Sequence, residues 1–180
     1  LVAFLPPYSS AFDSGANINP AVSFALVLGK RITPFRGILY VIAQLAGASC
    51  GTLVAKQMSP DLFSEAGGGA NSPAVGKAQA FGAEVIGTFL LVTTVLMATN
   101  AYVGTKISHI PMQLPLAIGF SVFVAHCALI PIDGCSINPA RSFGPALVHD
   151  FWEDQWIFWL GPLTGAAIAT FTFEGMFRLA

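Results

Sequence analysis

Four stretches of this chain contain no Asp, Glu, Lys or Arg: Gly37–Ala55, Val85–Thr105, Ile107–Ile132 and Gln155–Phe173. Each reaches the roughly 18–20 residues that a helix needs to cross about 30 Å of hydrocarbon. In lipid every backbone N–H and C=O must be satisfied without water, which leaves helices or closed barrels. Runs this long and apolar predict helices. Only 9% of the 180 residues are charged, against about 25% in a soluble domain. So few charges cannot cover a water-facing surface, and a lipid bilayer is the expected surrounding. We read one all-α membrane domain over 1–180, with spans at about 36–56, 78–99, 112–132 and 155–177. Leu1–Phe12 is apolar but too short to span, and reads as the end of a span whose beginning is absent from a fragment. Pro6, Pro7 and Asp13 make residues 1–14 either a divergent entrance or a mispredicted boundary.

Several function classes fall away. A net charge of −1 gives no basic field for nucleic acid. Cys50, Cys127 and Cys135 form no CxxC pair and no metal-ligand spacing. Glu84, His126 and Cys135 suggest a hydrolytic set, but no nucleophile elbow, metal motif or phosphate loop accompanies them. We therefore expect no enzyme and no cofactor. A pump is expected to hold more intramembrane acids than Glu84 and Glu174.

A short loop occurs twice. GANINPAVSFA at Gly15–Ala25 and GCSINPARSFG at Gly134–Gly144 share Gly-x-x-Ile-Asn-Pro-Ala-x-Ser-Phe, and Val22 in the first is Arg141 in the second. Asn is a favoured N-cap, and Pro at the first helical position loses no needed hydrogen bond. Asn19-Pro20-Ala21 and Asn138-Pro139-Ala140 therefore predict helix starts, with half-helices over about 19–29 and 138–148. Runs of that length are too short to span, and fit re-entrant segments that line a cavity. The Lys and Arg distribution puts connections 13–35 and 100–111 in the cytoplasm, and 57–77 and 133–154 outside. The two loops would then enter from opposite faces, as in inverted-repeat transport folds. Helix N-termini carry about half a positive charge and unpaired N–H donors. Two meeting head-on make a donor-rich centre that holds a water oxygen-first and opposes cations. An asparagine that spends its oxygen on capping keeps its amide N–H groups for the pore. The plainer alternative is two ordinary N-capped loops.

On these two loops, and on SHIPMQLPLAIGFSVFVAHCALIPI and WEDQWIFWLGP, the chain resembles the aquaporins of the major intrinsic protein family. Among them it looks most like plant plasma-membrane intrinsic proteins. The resemblance implies an inverted-repeat bundle with two re-entrant half-helices, the first span and most of the second being missing here. It implies a passive water channel that excludes protons and ions, in a plasma membrane, as a homotetramer, with water and lipid as its partners. It assigns the selectivity filter to His126, Cys135 and Arg141, histidine with arginine favouring water over glycerol. The second-span aromatic of that filter cannot be assigned. Glu84 would hold re-entrant loop backbone, since a buried carboxylate needs donors, and Gln44 would do similar work. His109 and Thr33 match gating positions, one by protonation and one by phosphorylation. Plainer readings stay open: Arg141 paired with Asp133 or loop carbonyls, His126 as a core histidine, Cys135 as a small wall residue, Glu84 as a helix-end carboxylate. The small-residue pairs Gly47/Gly51 and Gly161/Gly165 predict close helix contacts. Alternative functions are a channel for small neutral solutes such as glycerol, urea or peroxide, and a non-conducting structural subunit.

Overall fold

The structure, a computed structural model, describes residues 15–104 and 110–177, with side chains for 15–99 and 115–176. His109, Arg178 and the expectations for residues 1–14 lie outside them. The described residues form helices α1 (Pro20–Leu28), α2 (Pro34–Met58), α3 (Pro60–Glu65), α4 (Lys77–Gly104), α5 (Ile110–Asp133), α6 (Pro139–His149) and α7 (Ile157–Phe177), with a 3-10 turn at Gly67–Gly69. The fold is all-α.

Local chemistry explains where these helices begin. α1, α2, α3 and α6 each open with proline, whose missing N–H is not needed there. Asn19, Thr33 and Asn138 precede three of them in extended backbone and cap them through side-chain oxygens. α6 stops at Asp150, which adopts the left-handed conformation that ends many helices.

The packing has an approximate two-fold logic. α4 packs chiefly on α7 and α5. The short helix α6 lies on α2, while the short helix α1 lies on α7 and α2. Each half-helix thus leans on the long helix that ends the opposite repeat. Glycine permits the closest approaches: a Cβ on Gly144 of α6 would sit 2.7 Å from the Ala48 carbonyl oxygen of α2. On α7, a Cβ on Gly161 would meet the Glu84 Cβ at 2.7 Å, and one on Gly165 would run into the Val85 carbonyl oxygen. The Gly47/Gly51 pair behaves otherwise. No described atom lies within 4 Å of a Cβ added at either position, so that face of α2 makes no close contact among the described residues. Spacing identifies a small-residue stripe but not the surface it meets.

Two apolar clusters hold the centre. Ala21 and Ala25 of α1 wedge against Val92 and Leu96 of α4 and Ala166, Ala169 and Phe173 of α7. Leu91 and Val95 of α4, with Ala125 and Leu129 of α5, enclose Cys135 and Ile137. The outside is apolar too: Phe35, Ile38, Ile42, Met58, Phe123 and Phe171 are each more than half exposed. Patches of that extent are unfavourable in water and ordinary against lipid tails. Three helical stretches are long and apolar enough to cross a membrane: Pro34–Met58, Lys77–Thr99 and Pro115–Asp133.

Candidate functional site: two helix starts meeting end to end

The site is built from the two Asn-Pro-Ala loops. Asn19 accepts the Ala21 N–H on Oδ1 at 2.9 Å. Asn138 accepts the N–H of Ala140 at 3.0 Å and that of Arg141 at 3.4 Å. Each amide then reaches across to the other loop. Asn19 Nδ2 donates to the Ile137 carbonyl at 2.8 Å, and Asn138 Nδ2 donates to the Ile18 carbonyl at 3.1 Å. The bonds are reciprocal, each ending on the residue just before the opposite asparagine. They bring the N-termini of α1 and α6 together. They also correct the hydrogen bookkeeping of the sequence reading: one amide hydrogen per asparagine is spent on the other loop, which leaves one. A carboxamide carries two N–H donors, so the pair still offers two to a molecule between them.

Each loop has a polar brace. Glu84, in α4 and fully buried, accepts the Ser136 N–H on Oε1 and the Ile137 N–H on Oε2, both at 2.6 Å. Gln44, in α2, donates through Nε2 to the Asn17 carbonyl at 3.0 Å and to Ser23 Oγ at 2.9 Å. A buried polar group is tolerated when it is hydrogen-bonded: Glu84 spends both oxygens on re-entrant backbone, and Gln44 spends its amide nitrogen on the first loop, while its Oε1 is buried without a partner among the described residues.

Arg141 leaves the first turn of α6, and its Nη1 donates to the Gly69 carbonyl at 2.6 Å. No ion pair with Asp133 forms among the described residues, where the salt bridge is Lys77–Asp154. Val22, the matching residue of the first loop, packs instead against both apolar clusters. His126 is half-buried on α5, and its Nδ1 lies 2.8 Å from the Val122 carbonyl. A carbonyl only accepts, so Nδ1 carries the hydrogen and Nε2 is left open. No hydrogen bond joins His126 to Arg141 among the described residues. Cys135 is fully buried in the second apolar cluster and packs as a small apolar residue. Thr33 is an exposed N-cap whose Oγ1 accepts the Arg36 N–H at 3.3 Å.

Asn71 completes the site without any sequence signal of its own. It follows the Gly67–Gly69 turn and is fully buried. Its Nδ2 donates to the Asp133 carbonyl at 3.1 Å, and its Oδ1 accepts from Ser142 Oγ at 2.8 Å. The turn that supplies Gly69 to Arg141 is thereby pinned to both ends of the second loop. Asn71→Ala leaves the Ser142 hydroxyl and the Asp133 carbonyl without these partners. Its expected cost is about 1–3 kcal/mol, read as a lower melting temperature of the detergent-solubilised protein.

A family model described as Major intrinsic protein matches residues 4–173. The chain belongs to the major intrinsic protein family. This is a family of membrane transporters rather than enzymes. The chain is 47% identical over 182 residues to "Aquaporin PIP-type" of Atriplex canescens, covering 98% of this chain and 64% of that protein. It is 49% identical over 171 residues to "Probable aquaporin PIP2-2" of Oryza sativa subsp. japonica, covering 92% and 59%. To "Aquaporin PIP2-1" of Arabidopsis thaliana it is 47% identical over 180 residues, covering 97% and 63%. The chain thus spans about three fifths of the curated relatives it matches. Among solved structures, the aquaglyceroporin from Plasmodium falciparum superposes with a TM-score of 0.82 at 22% identity, over 97% of this chain and 78% of that one. That likeness extends the family's inverted-repeat fold to the arrangement of helices described above.

Proposed function

We propose that the protein is a passive channel for water in a plasma membrane, working as a homotetramer with one pore per subunit. The observation that carries this reading is the reciprocal bonding of Asn19 and Asn138. It sets two helix N-termini head to head and leaves one amide hydrogen of each asparagine available. A water between them accepts both and is held oxygen-first. Its own hydrogens then point away along the pore, so no water in this position relays a proton through the centre. The two N-terminal partial charges oppose cations by the same field. His126 and Arg141 would set the narrowest point, with the loop backbone at Cys135 as its third side. A fixed guanidinium and an open imidazole nitrogen give donors and an acceptor for one small polar molecule. The aquaporin names of the relatives support water as the permeant and the plasma membrane as the location.

The test is stopped-flow light scattering on proteoliposomes holding the full-length protein, with sucrose and then glycerol as osmolyte. The expected outcome is fast shrinkage in sucrose, well above empty liposomes, with no re-swelling in glycerol. Re-swelling in glycerol would replace water selectivity by a wider, neutral-solute channel. Shrinkage no faster than empty liposomes, with the protein correctly inserted, would reject conduction.

A further inference from the structure

Asp133, the last residue of α5, is 1% exposed, and Glu84 is 0% exposed. Glu84 holds the N–H groups of Ser136 and Ile137, while Asp133 Oδ1 accepts the Cys135 N–H at 2.9 Å. Three consecutive N–H groups of the second loop therefore end on two carboxyls. Two of these residues are held where non-glycine residues rarely sit, with φ of 54° at Cys135 and 47° at Ile137. The remaining oxygen, Asp133 Oδ2, is buried and meets no N–H or O–H donor among the described residues. The two carboxyls are neighbours, because they hold successive N–H groups of the same loop.

We propose that Asp133 and Glu84 form a hydrogen-sharing carboxyl pair that positions the second Asn-Pro-Ala loop and so sets what the constriction admits. Two bare carboxylates in contact and out of water repel each other, and nature's other such pairs hold one hydrogen between them. A hydrogen on Asp133 Oδ2 converts the contact into an O–H···O bond and gives the orphaned oxygen its partner. No neighbour among the described residues does this instead. Among the described residues, Arg141 Nη1 donates to Gly69, α7 presents uncharged Gly161 to Glu84, Asn71 bonds the Asp133 main chain, and the remaining titratable neighbour is the buried Cys135 thiol. Asp133 is a positioning residue: its Oδ1 fixes Cys135 while its Oδ2 steadies the carboxyl that fixes Ser136 and Ile137. The effect on selectivity rests on the channel reading above, whereas the pair itself does not.

Two measurements on the full-length protein test this. In infrared spectra the wild type should show a protonated-carboxyl C=O band at neutral pH. The band should vanish reversibly on alkaline titration and be missing from Asp133→Asn, whose amide supplies a permanent hydrogen. In proteoliposomes, wild-type water flow should fall severalfold over the pH range in which the band disappears, and Asp133→Asn should hold its flow there. Asp133→Leu removes both contacts, and its glycerol-to-water permeability ratio should rise about tenfold; a ratio does not depend on how much protein folds. A wild type without the band, or a band unchanged in Asp133→Asn, overturns the pair. An unchanged ratio in Asp133→Leu overturns the positioning role. A wild type that shows the band but does not conduct sinks the channel reading and leaves the pair standing.

Discussion

Arg141→Val should make the second loop a copy of the first and open the channel to larger solutes. Valine supplies no donor to the Gly69 carbonyl, so the 2.6 Å bond is lost along with the fixed positive charge. The space vacated by a guanidinium on this short helix would no longer be guarded by a charged donor. Glycerol permeability should rise about tenfold or more, equivalent to lowering its barrier by at least ~1.4 kcal/mol, while water flow is retained. The check is re-swelling of proteoliposomes in glycerol. Wild-type exclusion of glycerol by the variant would move selectivity away from Arg141. Stability should fall by no more than the loss of this one charge-assisted hydrogen bond, about 1.5–3 kcal/mol, since Arg141 has no ion pair to lose among the described residues.

The second large effect is expected at Glu84. Glu84→Leu takes away the acceptors of two buried N–H groups on adjacent residues. Hydrogen bonds to a charged group contribute about 1.5–3 kcal/mol each, so the loss is roughly 3–6 kcal/mol. That is a large share of the ~5–15 kcal/mol that separates folded from unfolded protein. The melting temperature should drop steeply, and water flow per correctly inserted protein should fall about tenfold or more. Glu84→Gln keeps one acceptor and turns an amide donor toward a loop N–H, so its effect should lie between wild type and leucine. Equal melting of all three forms would show that the loop is held by something else.

Much of the fold can be read from the sequence because its strongest signals are local. Charge-free runs fix where the long helices lie, and Asn-Pro fixes where the short ones begin. The meeting of the two loops is also legible, because one motif occurs twice and a half-span cannot end in lipid. What escapes is the contact made by the 67–71 turn with the distant second loop. Gly69 meets Arg141 across 72 positions, and Asn71 meets Ser142 across 71. Neither leaves a periodic mark, and GGGAN reads only as a flexible turn. The number of amide hydrogens left to the pore is equally hidden, since capping is a local property and the cross-loop bond is not. Gly47 and Gly51 show the opposite failure, a pattern with no described surface against it.

The reciprocal bonds between the loops also impose an order of assembly. Asn19 finds its acceptor 118 positions later, and Ile18 finds its donor 120 positions later. At about 5–20 residues per second of synthesis, the first loop waits roughly 6–24 s for the second. During that delay the start of α1 has no counterpart to bind. Gln44 is made only 25 residues after Asn19, and its bonds to Asn17 and Ser23 involve the first repeat alone. It therefore serves as an early brace, keeping the nascent half-helix folded back until the second loop is translated. Even then α1 awaits α7, whose Ala166, Ala169 and Phe173 complete its packing and are made only after the second loop.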